Sequence, residues 1–505
     1  MKSSLVVSLT AVACCLAAPL AAQTEAEPVI YDEAEALAMD AKLYAAEFGV
    51  SFDEALERLT VMHYGDEIIA TAVSGEGGEF AGRYFDNKAA EFGLTVATKA
   101  NSRSARSLTF TPRTKTNYGR MNAAAMQERN AVRKAARQAA RLSDQEVRRA
   151  QDKLSKPMQV RVKYATGKAF SLDELEQGLN AATAEASKYS TFTASSIDEA
   201  GNTVRVFLTD ISDQAAIRAI ERSTLVPVAI EHLPGGFVPV ANMRGGSKLY
   251  SSSSATSSSS RSCMTAFGAK SNTLKNSSGQ PMTRMITAAH CSASPFVIAD
   301  DGKNKALTTP SGHSSDTRGS TNQTDIRFVY SSTQDPVGLG TFYFDGTSSL
   351  RSVASVQTRA GTTAGNGTHS TVGTTTGSYI CHLGQTSFGS TSSMQSCGEV
   401  ISTTARQTPS TTQPGSFDLS YTGGAFVMVR NTSSGKGTIL GSTGTGTLRC
   451  YQGDSGGPWF AGTVAYGSMS SCAWENGGLN TNRAILSLYT SLDFVGMAGA
   501  SIIVP

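Results

Sequence analysis

The chain changes character near residue 243, and that change constrains its folding more than any other feature. Before it, Ala, Glu, Lys and Arg dominate and apolar residues recur with helical spacing. After it, Ser, Thr and Gly dominate, and short runs such as FVIAD, IRFVY, FVMVR and WFAGTVAYG are separated by turn residues. At 505 residues the chain exceeds what one core serves. The expectation is therefore an α+β N-terminal half followed by an all-β barrel or sandwich. A net charge of +3 with 17% charged residues gives no reason to expect nucleic acid or a membrane surface as partner.

The first residues, MKSSLVVSLTAVACCLAAPLAAQ, read as a secretory signal over 1–22, with cleavage near Ala22. The apolar stretch is too short to span a bilayer, and no later run reaches membrane-spanning length, so no membrane span is expected. Cys14 and Cys15 leave with the signal. The other six cysteines, Cys263, Cys291, Cys381, Cys397, Cys450 and Cys472, all lie in the C-terminal half. An even, clustered set in an exported chain reads as disulfides, and without a C-x-x-C pair it does not read as a metal site. Connectivity stays open at this point, because six cysteines permit about 15 pairings.

Within the N-terminal half, residues 31–48 and 51–62 read as amphipathic helices, the second opened by Ser51 with Glu54 three residues on. EFAGRYFD and LTVATK alternate like strands. Residues 122–153, rich in Ala, Arg and Gln, read as a solvated basic connecting helix. The second piece, 157–239, runs strand (QVRVKYA), helix (SLDELEQGLNAATAEA, with Ser171 and Glu174 as a capping box), hairpin across Gly201-Asn202, helix and strand. That order suggests a small α+β unit of split β-α-β type.

Three segments of the C-terminal half carry chemistry. Thr287-Ala288-Ala289-His290-Cys291 follows apolar residues, Asp325 opens the strand DIRFVY, and Gly453-Asp454-Ser455-Gly456-Gly457-Pro458 precedes WFAGTVAYG. A serine hydroxyl is a weak nucleophile until a base takes its proton, and histidine titrates near neutrality. A carboxylate fixes the imidazole tautomer and stabilises the imidazolium. Glycines around Ser455 let the amides of Gly453 and Ser455 turn toward one point as an oxyanion hole. Asp316 and Asp335 are the alternatives to Asp325.

These residues resemble the chymotrypsin-like serine proteases over roughly residues 243–505. The likeness is nearer to the bacterial branch containing alpha-lytic protease and the streptogrisins. Arg244-Gly245-Gly246 with Leu249-Tyr250-Ser251-Ser252 is similar to the start of mature streptogrisins, and CHLGQTSFGSTSSMQSCGEV to their cysteine hairpin. The resemblance implies two six-stranded antiparallel β-barrels with the triad between them. It also implies the pairs Cys263–Cys291, Cys381–Cys397 and Cys450–Cys472, and a large pro-region that templates folding and then inhibits. The domain reading is signal peptide 1–22, α+β pro-region 23–242 in two pieces (about 23–110 and 157–242), and protease domain 243–505.

Three departures from the family pattern carry expectations. The serine that stands beside the catalytic carboxylate in the family is replaced at Ala465, while the backbone of Ala465, Tyr466 and Gly467 pairs with substrate as an added strand. His382 stands where the family carries a basic residue, and is expected to hold a positive charge against Asp454. No aspartate lies in 448–452, so the primary pocket is expected to take an apolar or aromatic side chain, with Glu475 the substitute candidate for an acidic anchor and read in preference as a loop residue. The reading is a secreted serine endopeptidase that cuts polypeptides with no cofactor or metal, a monomer when mature and bound beforehand by its own pro-region. Its rivals are a binding protein on a protease fold and an esterase or acyl transferase using the same triad.

Overall fold

The computed structural model describes residues 29–74, 79–89, 91–112, 142–234, 238–239, 248–250, 262–275, 281–288, 291, 296–300, 303–307, 325–329, 341–345, 349–358, 373–385, 393–407, 426–432, 448–451, 454–474, 484–497 and 500–503. The N-terminal half opens with β1 (Val29–Tyr31), α1 (Glu33–Phe48), α2 (Phe52–Tyr64) and α3 (Asp66–Val73). Asp32 and Glu35 form a capping box on α1. Ser51 caps α2 by accepting from the Glu54 amide at 3.2 Å, while the Glu54 carboxylate turns to Arg58. Then come β2 (Phe80–Phe85), β3 (Leu94–Thr98), β4 (Arg106–Phe110), α4 (Asp144–Ser155) and β5 (Met158–Ala165).

Two sequence expectations need correction here. The basic helix lies outside the described residues up to 141, and its described part, α4, is not simply solvated. Val147, Ala150 and Leu154 fall one turn apart and are buried, and the ion pairs Arg149–Asp53 and Lys153–Glu57 tie the exposed side to α2. The strand QVRVKYA was expected to open the second unit. As β5 it instead pairs parallel to β3 and antiparallel to β4, completing the sheet β2-β3-β5-β4. Its alternating Met158, Val160 and Val162 enter the core that α1, α2 and α4 already share, and burial there decides its partner.

The second unit consists of α5 (Leu172–Ala186), β6 (Phe192–Asp198), β7 (Thr203–Leu208), α6 (Gln214–Arg222) and β8 (Val228–His232). The Ser171–Glu174 capping box opens α5. Asn202 takes φ 54 in the β6–β7 turn and exchanges hydrogen bonds with the Phe170 backbone. Leu175, Leu179 and Ala182 of α5 pack on Ile197, Val204 and Val206 of the sheet.

In chain order the remaining strands are β9 (Val238–Pro239), β10 (Lys248–Tyr250), β11 (Ser262–Met264), β12 (Gly268–Lys275), β13 (Pro281–Thr287), β14 (Phe296–Asp300), β15 (Lys303–Leu307), β16 (Arg327–Val329), β17 (Thr341–Asp345) and β18 (Ser349–Ser352). They continue with β19 (Ser355–Val356), β20 (Tyr379–Gln385), β21 (Ser393–Gln407), β22 (Phe426–Arg430), β23 (Pro458–Ala461), β24 (Val464–Trp474) and β25 (Ala484–Ser491). Helix α7 (Asp493–Met497) and β26 (Ala500–Ile502) close the chain. Strands β20-β23-β24-β25-β22-β21 form a six-stranded antiparallel barrel, closed because β21 returns to β20. Ile380, Val400, Val427, Trp459, Tyr466 and Tyr489 are among the buried side chains of its core. Where a second barrel was expected, the described residues form two four-stranded sheets, β11-β10-β14-β15 and β16-β13-β12-β26, neither of them closed.

The two halves are joined by backbone pairing. β1 runs parallel to β18, with Tyr31 opposite Arg351. β6 runs antiparallel to the far end of β21, so the sheet of the second unit continues the barrel wall. β9 lies antiparallel to β24, with Pro239 opposite Ser471 and Val238 opposite Cys472.

Candidate active site

β13 leads toward position 290 and pairs antiparallel with β16, which Asp325 and Ile326 precede. The last described pair is Thr287 opposite Arg327, so Asp325 stands at the end of this sheet where β13 finishes. His290 itself, like Gly453, lies outside the described residues, as do Asp316, Asp335 and Glu475. Ala288 and Cys291, on either side of positions 289–290, are described. The Cys291 amide donates to the Ala288 carbonyl at 3.2 Å, and Cys291 is bonded to Cys263 in the middle of β11.

Ser455 is buried and tied to the same neighbourhood. Its carbonyl accepts from the Met264 amide at 2.6 Å, while the Met264 carbonyl accepts from Thr287 Oγ1 at 2.5 Å. Gly456 adopts φ +85, and a Cβ there would lie 2.0 Å from the Met264 carbonyl oxygen and 2.5 Å from Thr287 Oγ1. Only glycine satisfies both the backbone angle and the close approach. The serine turn is therefore pressed directly against the segment from which β13 runs on toward position 290.

Asp325 and Ser455 meet through one residue that sequence reasoning missed. Ser470, on β24, donates its hydroxyl to Asp325 Oδ2 at 2.6 Å, and its carbonyl accepts from Ser455 Oγ at 3.4 Å. A hydroxyl-to-carboxylate bond of this length is of the strong, charge-assisted kind. The serine beside the carboxylate thus stands at 470, and the expectation that Ala465 had replaced it is corrected. The sequence signal was only the serine run 468–471, which singles out no member.

The same strand corrects the expected substrate edge. Ala465 pairs with Phe460 on one side and Val356 on the other, and its carbonyl accepts from the Gln357 amide at 2.8 Å. Gly467 pairs with Trp459 and Ser491, and the Tyr466 carbonyl accepts from Leu492. Both edges of 465–467 are occupied, so no further strand can add there. Tyr466 turns its hydroxyl to Gln357 Oε1 at 3.1 Å and to His63 Nδ1 of α2 at 2.7 Å. Burial pushes the His63 ring down to about 4, against the opposing charge of Asp40.

His382 does not carry the charge expected of it. The ring is fully buried, lies 4.7 Å from the Trp459 ring, and donates Nε2–H to the Arg449 carbonyl at 2.7 Å. Burial holds it down to about 4, so it is neutral at physiological pH. Asp454 instead accepts from the Tyr451 amide at 3.0 Å, in the tight turn that carries Ser455. Gly384 leaves room for that carboxylate, since a Cβ would lie 2.6 Å from Asp454 Oδ2. The cysteines pair as Cys263–Cys291, Cys381–Cys397 and Cys450–Cys472, the pairs that the resemblance implies. The last joins the segment before Ser455 to the strand of Ser470. Among the described residues no cluster of His, Cys, Asp and Glu could hold a metal ion, and no helix is long and apolar enough to cross a membrane.

No protein-family model matches the chain, and no curated protein does. Among solved structures the chain is similar to a glutamic-acid-specific serine protease described as using a histidine triad in substrate binding (18% identity, 52% of this chain and 100% of that one, TM-score 0.30). It is similar to Thermobifida fusca protease A (16% identity, 52% and 98%, TM-score 0.31). It is also similar to a Nocardiopsis protease (16% identity, 52% and 97%, TM-score 0.29).

Proposed function

We propose that the chain is a secreted serine endopeptidase, made as a precursor whose residues 23–242 guide folding and then block the site. The observation that carries this reading is the convergence of Asp325 and Ser455 on Ser470, beside the segment that flanks position 290. In the proposed mechanism His290 takes the Ser455 proton as Oγ attacks the scissile carbonyl, and returns it to the leaving amine. Asp325, held by Ser470, orients the imidazole and stabilises its charged form. The amides of Gly453 and Ser455 bind the oxyanion, and water releases the acyl-enzyme.

β9 supports the precursor reading. Along β24 it continues the edge that β23 occupies further back, and it pairs at 471–472, next to Ser470. A substrate strand adding beside the nucleophile would compete for that edge, so the N-terminal half blocks it by strand addition. The pairing of β6 with β21 supports a folding role. A hairpin formed locally in the second unit offers a template edge to a barrel whose own strands are distant in sequence.

The test is the intact mass of the exported protein, wild type beside Ser455→Ala. Wild type is expected to split near residue 242 while the variant stays whole. Splitting in both would assign maturation to another protease, and a whole wild-type chain without peptidase activity would overturn the reading.

A further inference from the structure

A buried ion pair between the two halves lies away from the candidate active site. Asp40, in the middle of α1, is buried, and its carboxylate receives four hydrogen bonds from the C-terminal half. Arg351 Nη2 and Gln395 Nε2 donate to Oδ1 at 2.9 and 2.7 Å, while Arg351 Nη1 and the Gly462 amide donate to Oδ2 at 3.1 and 2.5 Å. The donors come from three places in the fold: β18, β21 and the turn between β23 and β24.

The C-terminal half adds contacts of its own to this cluster. The Arg351 guanidinium lies over the Phe460 ring, 5.2 Å from its centroid. Its Nη1 also donates to the Gly462 carbonyl at 3.1 Å, and Nη2 to Gln395 Oε1 at 3.3 Å. Gly462 takes φ +55, the angle by which the turn aims both its amide and its carbonyl at this spot. A planar fork held on a ring, with an amide N–H and a carboxamide N–H beside it, is complementary to one carboxylate and to little else. A buried arginine without an anion would be strongly unfavourable.

We infer that Arg351, Gln395 and Gly462 form a carboxylate-binding site in their own right, which Asp40 fills in cis and which accepts the acidic side chain of another polypeptide once α1 is displaced. The second part rests on the precursor reading, because removal of the N-terminal half is what empties the site. Its preferred occupant is an extended segment that adds to β18, as β1 does, and continues into a helix carrying an acidic residue.

The first part is tested in the full chain with Ser455→Ala, so that processing does not interfere. Asp40→Ala removes the carboxylate while keeping a good helix former in α1. It is expected to lower Tm, and about 100 mM acetate or formate is expected to restore much of the loss with saturation, half-effect being on the order of 10 mM. Equal chloride or acetamide is expected to do nothing, and Asp40→Ala combined with Arg351→Met is expected to lose the response. Should Asp40→Ala be too unstable to isolate, refolding yield in acetate against chloride gives the same readout. Equal effects of acetate and chloride, or an undiminished response in the double variant, overturn the site.

The second part is tested on the processed wild-type enzyme with its serine blocked covalently. A peptide of residues 28–50 is expected to bind, and its Asp40→Asn version to bind on the order of tenfold or more weakly. Equal binding overturns the transfer to other polypeptides. A chain that never matures refutes the precursor reading and, with it, this second part, while the acetate experiment needs no proteolysis and still decides the first.

Discussion

Acidification should loosen the grip of α2 on the barrel, and His63 sets the range in which this happens. Its ordinary value is 6.5 and burial brings it down to about 4, so the folded protein refuses a proton that the unfolded chain accepts. The stability carried by the neutral ring is complete above pH 6.5 and is lost as the pH falls through 6.5 toward 4. The difference, 6.5 minus 4, amounts to about 3 kcal/mol at the acid limit, of which about 2 kcal/mol is already lost at pH 5. His382 shares the same range and cause, so the two together remove about 4 kcal/mol between pH 7.5 and pH 5. His63→Asn keeps a donor for Tyr466 where Nδ1 stands but removes the titration. Urea unfolding of the Ser455→Ala chain at both pH values should show the acid loss cut by about 2 kcal/mol in the Asn variant. An equal loss in parent and variant, or an imidazole resonance of His63 titrating near its ordinary value, would refute the reasoning.

Two further predictions concern the site. Ser470→Ala removes a charge-assisted bond to a buried carboxylate, worth about 1.5–3 kcal/mol, and kcat/KM on a peptide substrate should fall about 10- to 100-fold. A fall of that size, rescued in part by Ser470→Thr, supports its role in holding Asp325, whereas unchanged kinetics would remove Ser470 from the site. Gly456→Ala places a methyl 2.0 Å from the Met264 carbonyl oxygen at φ +85, and the folded chain should be recovered in much lower yield or not at all. Normal yield and activity in that variant would refute the steric requirement for glycine at 456.

Much of the site was legible because its chemistry is local in the chain. GDSGGP announces a turn whose glycines have a steric reason, and Gly456 meets that reason in Met264 and Thr287. What escaped was whatever depends on register. The segment Ser468–Ser471 offers three equivalent hydroxyls, and only the pairing of β24 with β23 and β25 selects Ser470 for Asp325. Similarly, QVRVKYA reads as a strand from its alternation, but alternation names no partner. The apolar face of β5 is satisfied by the α1–α2–α4 core and not by α5. His382 was misjudged for a related reason: a side chain's charge depends on its burial, and nothing in CHLG shows that the ring lies against Trp459.

The sequence by itself determined the strand-rich character of the second half, the helix starts at Ser51 and Ser171, and the glycines of the serine turn. These follow from periodicity, capping and backbone sterics, which act over a few neighbouring residues. Tertiary structure alone decided that Ser470 joins Asp325 to Ser455, that β9 takes the edge beside them, and that Asp40 meets Arg351 across the two halves. Each of these contacts links groups far apart in the chain, and each forms because a buried carboxylate, hydroxyl or strand edge must find a partner once water is excluded.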